Sequence, residues 1–166
     1  AHAQSIGERP PRIMPPGRSL AGTDDSDALA LNPSQIAFMP SWELRYTHVE
    51  LPEKSTIIAP GQGDAVGLAF PLFFGFATGA RFESIRPPHS APMGGLQTFG
   101  WSLAFKLGDA VSYAFDVRKW RPDDDGRSGA TTFGFSTATR LSRHLGVAIV
   151  ARDLTGATGD VLYPGV

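Results

Sequence analysis

The stretch Thr98-Phe99-Gly100-Trp101-Ser102-Leu103-Ala104-Phe105-Lys106-Leu107 alternates one for one between small or polar residues and bulky apolar ones. Because successive side chains of a β-strand point to opposite faces, this stretch predicts a strand with one bulky apolar face and one small, polar face. An aromatic face opposite a face of Gly, Ser, Ala and Lys is typical of a membrane β-barrel rather than of a soluble sandwich.

Six further stretches repeat the alternation, and the connections between them alternate between short and long. Consecutive strands joined by short turns must be antiparallel. Short turns at one rim and long loops at the other are typical of bacterial outer-membrane barrels. The chain is therefore predicted to be all-β, an antiparallel up-and-down (meander) β-barrel, with a soluble barrel or sandwich as the alternative. The predicted strands cover residues 42–51, 64–70, 75–86, 98–107, 110–121, 130–141 and 145–154.

The strand count predicts an incomplete barrel. Single-chain barrels of this kind have an even number of strands, about eight or more. The alternation gives seven strands, and residues 161–163 offer only a stub before Pro164 and Gly165. We therefore expect about seven or eight strands here, as the N-terminal part of a larger barrel.

The residues before the first strand divide into an arm and a plug-like segment. Residues 1–18 are rich in proline, which excludes a helix or a central strand. Residues 19–37 predict a short helix that Thr23 or Asp24 caps and that ends at Asn32-Pro33. So short a helix does not persist alone, so we expect it to dock on the barrel formed by residues 38–166.

Composition narrows the class of protein. Charged residues make up 19% of the chain, below the roughly 25% of soluble domains, and there is no cysteine. The net charge of −1 gives no sign of nucleic-acid binding, and no apolar run reaches the roughly 20 residues of a transmembrane helix. The opening Ala1-His2-Ala3-Gln4 resembles the end of a signal-peptide cleavage site. We expect an exported protein of the outer membrane of a Gram-negative-type bacterium, with the lipid bilayer as a partner.

Two family resemblances follow from the segment before the first strand. Residues 17–22 and 28–37, which include Asn32-Pro33-Ser34-Gln35-Ile36-Ala37, resemble the N-terminus of long-chain fatty-acid-transporter-like (PorV-like) outer-membrane proteins. That family has Asn-Pro-Ala-Gly-Leu/Ile-Ala at this place, so Ser34-Gln35 replaces its Ala-Gly. The resemblance implies that the segment lines or plugs the barrel lumen. A weaker resemblance is to the N-terminal, barrel-like region of SppA-type signal peptide peptidases, whose Ser–Lys motifs are absent here.

The candidate site residues fall into three groups. None belongs to a catalytic, phosphate-binding or dinucleotide-binding motif, and we expect no cofactor and no metal. The plug or gate residues are Asp24, Asp25, Asp27, Asn32 and Pro33. The charged residues expected to face the lumen, with an excess of positive charge, are Arg81, Glu83, Lys106, Asp116, Arg118, Arg140 and Arg152. The tryptophans expected in an aromatic girdle at the membrane surface are Trp42, Trp101 and Trp120.

The sequence is compatible with three functions. The first is passive transport or binding of a small hydrophobic or amphipathic ligand, which a lumen with excess positive charge would favour when the ligand is anionic or amphipathic. The second is a non-catalytic barrel region of an SppA-type peptidase polypeptide. The third is a structural or adaptor barrel of a secretion system.

Overall fold

The computed structural model describes Ile13 and residues 20–50, 62–86, 95–123, 129–142 and 145–154. The predicted arm is thus described only at Ile13, and the predicted stub at residues 161–163 lies outside the described residues.

Seven antiparallel strands form one sheet, in which each strand pairs with its neighbours in the chain. The predicted all-β meander is confirmed, with strand ends shifted by at most a few residues. Within the described residues the sheet is not closed, since β1 and β7 lie at its two edges. The strands are β1 (Glu43–Val49), β2 (Gln62–Pro71), β3 (Phe76–Arg86), β4 (Leu96–Leu107), β5 (Val111–Pro122), β6 (Ala130–Arg140) and β7 (Gly146–Ala151).

The two faces of the sheet differ in both size and exposure. In β4, Ser102 and Ala104 are buried, whereas Phe99, Trp101 and Phe105 are exposed. We call the buried, small-residue face the inner face and the other the outer face. The end of the sheet with the connections at 72–75, 108–110 and 141–145 is the turn end, and the opposite end is the loop end.

The N-terminal segment, residues 20–39, lies across the inner face. It contains the one-turn helix α1 (Ala28–Leu31) and a 3₁₀ helix (Pro33–Phe38). No helix of the described residues is long and apolar enough to cross a membrane. As predicted, α1 ends at Asn32, whose side chain accepts a hydrogen bond from the backbone N–H of Ser34 and caps the 3₁₀ helix.

The start of α1 corrects the prediction that Thr23 or Asp24 caps the short helix. Asp27 occupies the N-cap position, without a side-chain capping hydrogen bond. Its carboxylate instead faces Arg45, and its backbone N–H donates to Oδ1 of Asp25. The ion pair with the sheet thus takes the place of a local cap.

Alanines at the turn end make room for the N-terminal segment. Ala77, Ala104 and Ala114 are paired on adjacent strands, and all three are buried beneath the segment. Ile36 and Met39 of the segment belong to the same apolar cluster. Larger side chains in this row would hold the 3₁₀ helix away from the sheet.

Candidate functional site

An alternation of arginine and glycine crosses the middle of the inner face. Successive partners in the register, one on each strand from β1 to β5, are Arg45, Gly67, Arg81, Gly100 and Arg118. Because glycine has no side chain, each guanidinium has room beside its neighbouring strand. We call the three arginines, which are spaced about 10 Å apart along the sheet, the arginine row.

Arg45 ties the edge strand β1 to the start of α1. Its Nη1 lies 2.6 Å from Oδ2 of Asp27, and its Nη2 lies 3.1 Å from Oδ2 of Asp25. Its Nε lies 2.8 Å from Oε1 of Glu43, which also accepts a hydrogen bond from the hydroxyl of Ser26. The carboxylate of Asp27 is almost fully buried, so this ion pair is shielded from solvent on one side.

Arg81 is the most deeply buried member of the arginine row, with a side chain 5% exposed. Its Nε donates to Oε1 of Glu83 at 2.8 Å, and Nη1 lies 3.6 Å from Oδ1 of Asp27. Oε2 of Glu83 accepts a hydrogen bond from the hydroxyl of Thr98. The charge of Arg81 is therefore balanced by carboxylates, while its Nη2 donates to the backbone carbonyl of Ile13.

Two arginines bind the carbonyls at the end of α1. Nη2 of Arg118 donates to the carbonyl of Leu29 at 2.8 Å, and Nη2 of Arg152 donates to the carbonyls of Ala30 and Leu31. The last carbonyls of a helix have no partner within it, and cations are favourable at that end. These bonds explain how a single helical turn persists.

Arg140 holds the segment at the turn end of the sheet. Its Nη2 lies 3.3 Å from both Oδ2 of Asp24 and Oε1 of Gln35. Its guanidinium carbon lies 3.8 Å from the ring centroid of Phe38, which is within the range of a cation–π contact. Both parts of the N-terminal segment are therefore bound by arginines of the sheet.

A water-sized cavity lies between the segment and the middle of the sheet. Arg118, which lines this cavity, has its Nε 3.4 Å from Oδ2 of Asp116. The cavity is lined by Leu29, Arg81, Glu83, Thr98, Gly100, Ser102 and Arg118. Its polar walls suit an ordered water molecule.

The predicted site residues of the first two groups come together on one face. Asp27, Asn32 and Pro33 of the plug group are buried against the sheet, and Asp24 and Asp25 pair with its arginines. That the inner face lines a lumen stays a prediction. All seven charged residues of the second group lie on the inner face: Arg81, Glu83, Lys106, Asp116, Arg118, Arg140 and Arg152. Lys106 lies at the turn end, 3.6 Å from Asp109.

The outer face carries an exposed apolar band. Phe99, Phe115 and Phe135 are each exposed by 43% or more. An aromatic row crosses β3 to β6 near the turn end, with ring centroids 5.3 to 6.3 Å apart between neighbours. Its members are Phe76, Phe105, Tyr113 and Phe135. Towards the loop end the same face turns polar, with Asp64, Arg86, Lys119 and Arg121.

The three girdle tryptophans occupy different environments. Trp42 is 68% exposed just before β1, at the turn end, and Trp101 is exposed at the middle of β4. Trp120 corrects the prediction, because its side chain is buried on the inner face and its indole N–H donates to Oγ1 of Thr132. A buried indole N–H needs a hydrogen-bond acceptor, and the hydroxyl of Thr132 supplies one on the inner face.

Sequence reasoning did not single out Arg45, Ile13 or the glycines of the alternation. Arg45 could have been found from its position on the polar face of the first strand, between Glu43 and Thr47. Ile13 stands among prolines without any periodic pattern, so no sequence signal marked it. Gly67 and Gly100 align with the arginines because of the strand register, which cannot be read from the sequence alone.

Comparison with protein-family models, with curated proteins and with solved structures gives no match to this chain. Among the described residues, no group of three or more His, Cys, Asp or Glu side chains is placed to hold a metal ion. The chemistry of the site is that of guanidinium groups that bind carboxylates and peptide carbonyls.

Proposed function

We propose that this chain is an outer-membrane β-barrel protein, or the N-terminal part of one, that binds or passively transports a small hydrophobic or amphipathic solute. In this proposal the outer face contacts lipid, the inner face lines the solute's path, and the N-terminal segment is the plug. The observation that carries the proposal is the combination, on the same strands, of an exposed apolar outer face and a buried, charged inner face.

The size of the apolar band supports the lipid contact. Soluble monomers rarely expose contiguous apolar patches larger than a few hundred Å². On β4 the exposed apolar residues run from Phe99 to Leu107, about 27 Å along the strand. With the tilt of about 40° usual in such barrels, this gives a height of about 20 Å, close to the band of about 25 Å that lipid requires.

The charge of the inner face supports a path for polar or amphipathic solutes. Its arginines outnumber Glu43, Glu83 and Asp116, and the balance is restored by Asp24, Asp25 and Asp27 of the N-terminal segment. A displaced segment would leave an excess of positive charge on this face. Such a lining favours anionic or amphipathic solutes over cations.

The contacts of the segment support its role as a plug. Arg45 and Arg81 bind it through the carboxylate of Asp27, and Arg118 and Arg152 bind it through backbone carbonyls of α1. A solute with oxygen acceptors can accept these hydrogen bonds in place of the segment, one at a time and at little net cost in free energy. The segment is thus held by groups that a solute could compete for.

Cell fractionation tests the membrane location. The full-length protein with its natural leader, produced in a Gram-negative host, is expected in the outer-membrane fraction and in solution only with detergent. Recovery as a soluble protein without detergent would contradict the proposal.

Permeability measurements test the plug. In planar bilayers, Arg45→Ala is expected to raise conductance above that of the wild type, because it removes the ion pairs with Asp25 and Asp27, and the current should favour anions. Arg86→Ala is the matched control, since Arg86 is an exposed outer-face arginine paired with Asp64 at 3.6 Å. Strong cation preference, or an equal effect of both variants, would refute the plug.

A further inference from the structure

Ile13 fills an apolar pocket at the loop end of the inner face. Its side chain is fully buried, at 0% exposure. The pocket's walls come from β2 to β5, and the partly buried Val49 and Ala130 pack against them. The wall residues are Ala65, Ile85, Leu96 and Trp120, all buried.

The pocket also binds the main chain of its occupant. The carbonyl oxygen of Ile13 accepts a hydrogen bond from Nη2 of Arg81 at 2.5 Å, and that arginine is itself buried. The site therefore recognises two neighbouring groups together: a branched four-carbon alkyl group and a carbonyl oxygen.

We propose that this pocket is a ligand site that Ile13 occupies as an internal competitor. Its ligand is a small neutral molecule in which a branched alkyl group stands beside a carbonyl, as in an aliphatic amide. The inference rests on the proposed function in one respect, that the inner face is the path of a solute.

The surroundings of Arg81 select a neutral head group. Its charge is already matched by Glu83 at 2.8 Å and by Asp27 at 3.6 Å. A carboxylate in place of the Ile13 carbonyl would add a buried negative charge with no cation left to balance it, which is costly. An amide oxygen accepts the same hydrogen bond without that cost.

The walls of the pocket select a short ligand. Ile85 and Trp120 are exposed by no more than 2%, and the indole of Trp120 is fixed by its hydrogen bond to Thr132. A longer alkyl chain would have to displace these side chains from a closely packed cluster. The ligand's apolar part should therefore match the isoleucine side chain in size.

Binding to the purified full chain in detergent tests the proposal, with 3-methylpentanamide as the probe. This amide reproduces the side chain, Cα and carbonyl of Ile13. Ile13→Ala removes the internal competitor, so calorimetry should show binding about tenfold tighter or more than to the wild type. Ile36→Ala is the matched control, since Ile36 is equally buried in the other apolar cluster and its loss should not improve binding.

Two further arms test the head group. Arg81→Gln in the Ile13→Ala background should lose most of the gain, and 3-methylpentanoate should bind more weakly than the amide. Equal gains for Ile13→Ala and Ile36→Ala, or tighter binding of the carboxylate, would overturn the proposal. Should Ile13→Ala fail to fold, Ile13→Val must still bind the amide more tightly than the wild type does, or the proposal fails.

The outcome separates this inference from the proposed function. The binding assay needs no membrane and no transport. An outer-membrane protein that conducts but shows no gain in binding for Ile13→Ala refutes only the ligand site. A chain that is soluble without detergent but binds the amide as described refutes only the membrane function.

Discussion

Nη1 of Arg45, on the edge strand of the sheet, lies 2.6 Å from Oδ2 of Asp27, at the start of the helix that crosses the inner face. The contact joins two parts of the fold that need support. A one-turn helix is unstable alone, and an edge strand has few neighbours. One ion pair therefore stabilises both the N-terminal segment and the edge of the sheet.

We predict that Asp27→Ala loosens the N-terminal segment. The substitution leaves Arg45 and Arg81 without their shared carboxylate, and Asp27 is buried while Arg45 is 28% exposed. We expect a loss of about 2 kcal/mol, less than for a fully buried pair. Amide hydrogen exchange across residues 26–36 should become faster, while exchange in β4 should change little.

Asp24→Ala is the control for that prediction. Asp24 belongs to the same segment, but its side chain is 52% exposed and its partner Arg140 is held at 3.3 Å. A loss of about 0.5 kcal/mol or less is expected for such an exposed pair. If the two alanine variants changed exchange equally, the buried ion pair would not be what anchors the segment.

We predict that Gly79→Ala destabilises the packing of α1 on the sheet. A Cβ at this position would lie 2.8 Å from Cδ2 of Leu29 and 2.9 Å from the carbonyl oxygen of Leu68. The backbone oxygen cannot move freely, so overpacking should cost about 1–3 kcal/mol. Urea unfolding in detergent should show a lower midpoint.

Gly100→Ala provides the comparison on the same face. The nearest atom to its Cβ would be Cγ of Arg118 at 3.5 Å, an ordinary contact. A change within about 0.5 kcal/mol is expected, since alanine is better tolerated in strands than glycine. Equal destabilisation by both substitutions would mean that Leu29 does not pack over Gly79.

The alternation of side chains predicted the strands but not their alignment. Phe99, Trp101 and Phe105 mark one face of β4 whatever its neighbours are, because strand period is local. The arginine row exists only because Arg45, Arg81 and Arg118 reach the same level in the register. Register depends on loop lengths and packing between strands, which single residues do not reveal.

Trp120 shows that the alternation of a strand outweighs the charge of neighbouring residues. A tryptophan between two basic residues, as here between Lys119 and Arg121, is typical of a membrane surface. The alternation of β5, however, places it on the face opposite Tyr113 and Phe115, and that is where it lies. The backbone of a strand sets the alternation of its side chains, so this alternation determines the face on which a residue lies, whatever its neighbours are.

We predict that Phe115→Arg impairs membrane assembly. Phe115 lies in the middle of the apolar band, opposite Leu103 and Phe135. An arginine facing the middle of a bilayer costs about 2–4 kcal/mol in transmembrane β-barrels. Ser84→Arg, on the same face near the loop end and opposite Asp64, should cost about 1 kcal/mol or less. The yield of folded protein in vesicles of neutral phospholipid measures the difference, and a soluble domain would instead tolerate Phe115→Arg as well as Ser84→Arg.

Fluorescence of single-tryptophan variants gives the most direct test of the two faces. With the other two tryptophans replaced by phenylalanine, Trp101 should be quenched strongly by lipids brominated in the acyl chain, because it lies exposed at mid-strand on the outer face. Trp120 should be protected, because its indole is buried on the inner face and bonded to Thr132. Strong quenching of Trp120 with protection of Trp101 would mean that the faces are reversed. Protection of both would mean that the apolar band contacts protein rather than lipid.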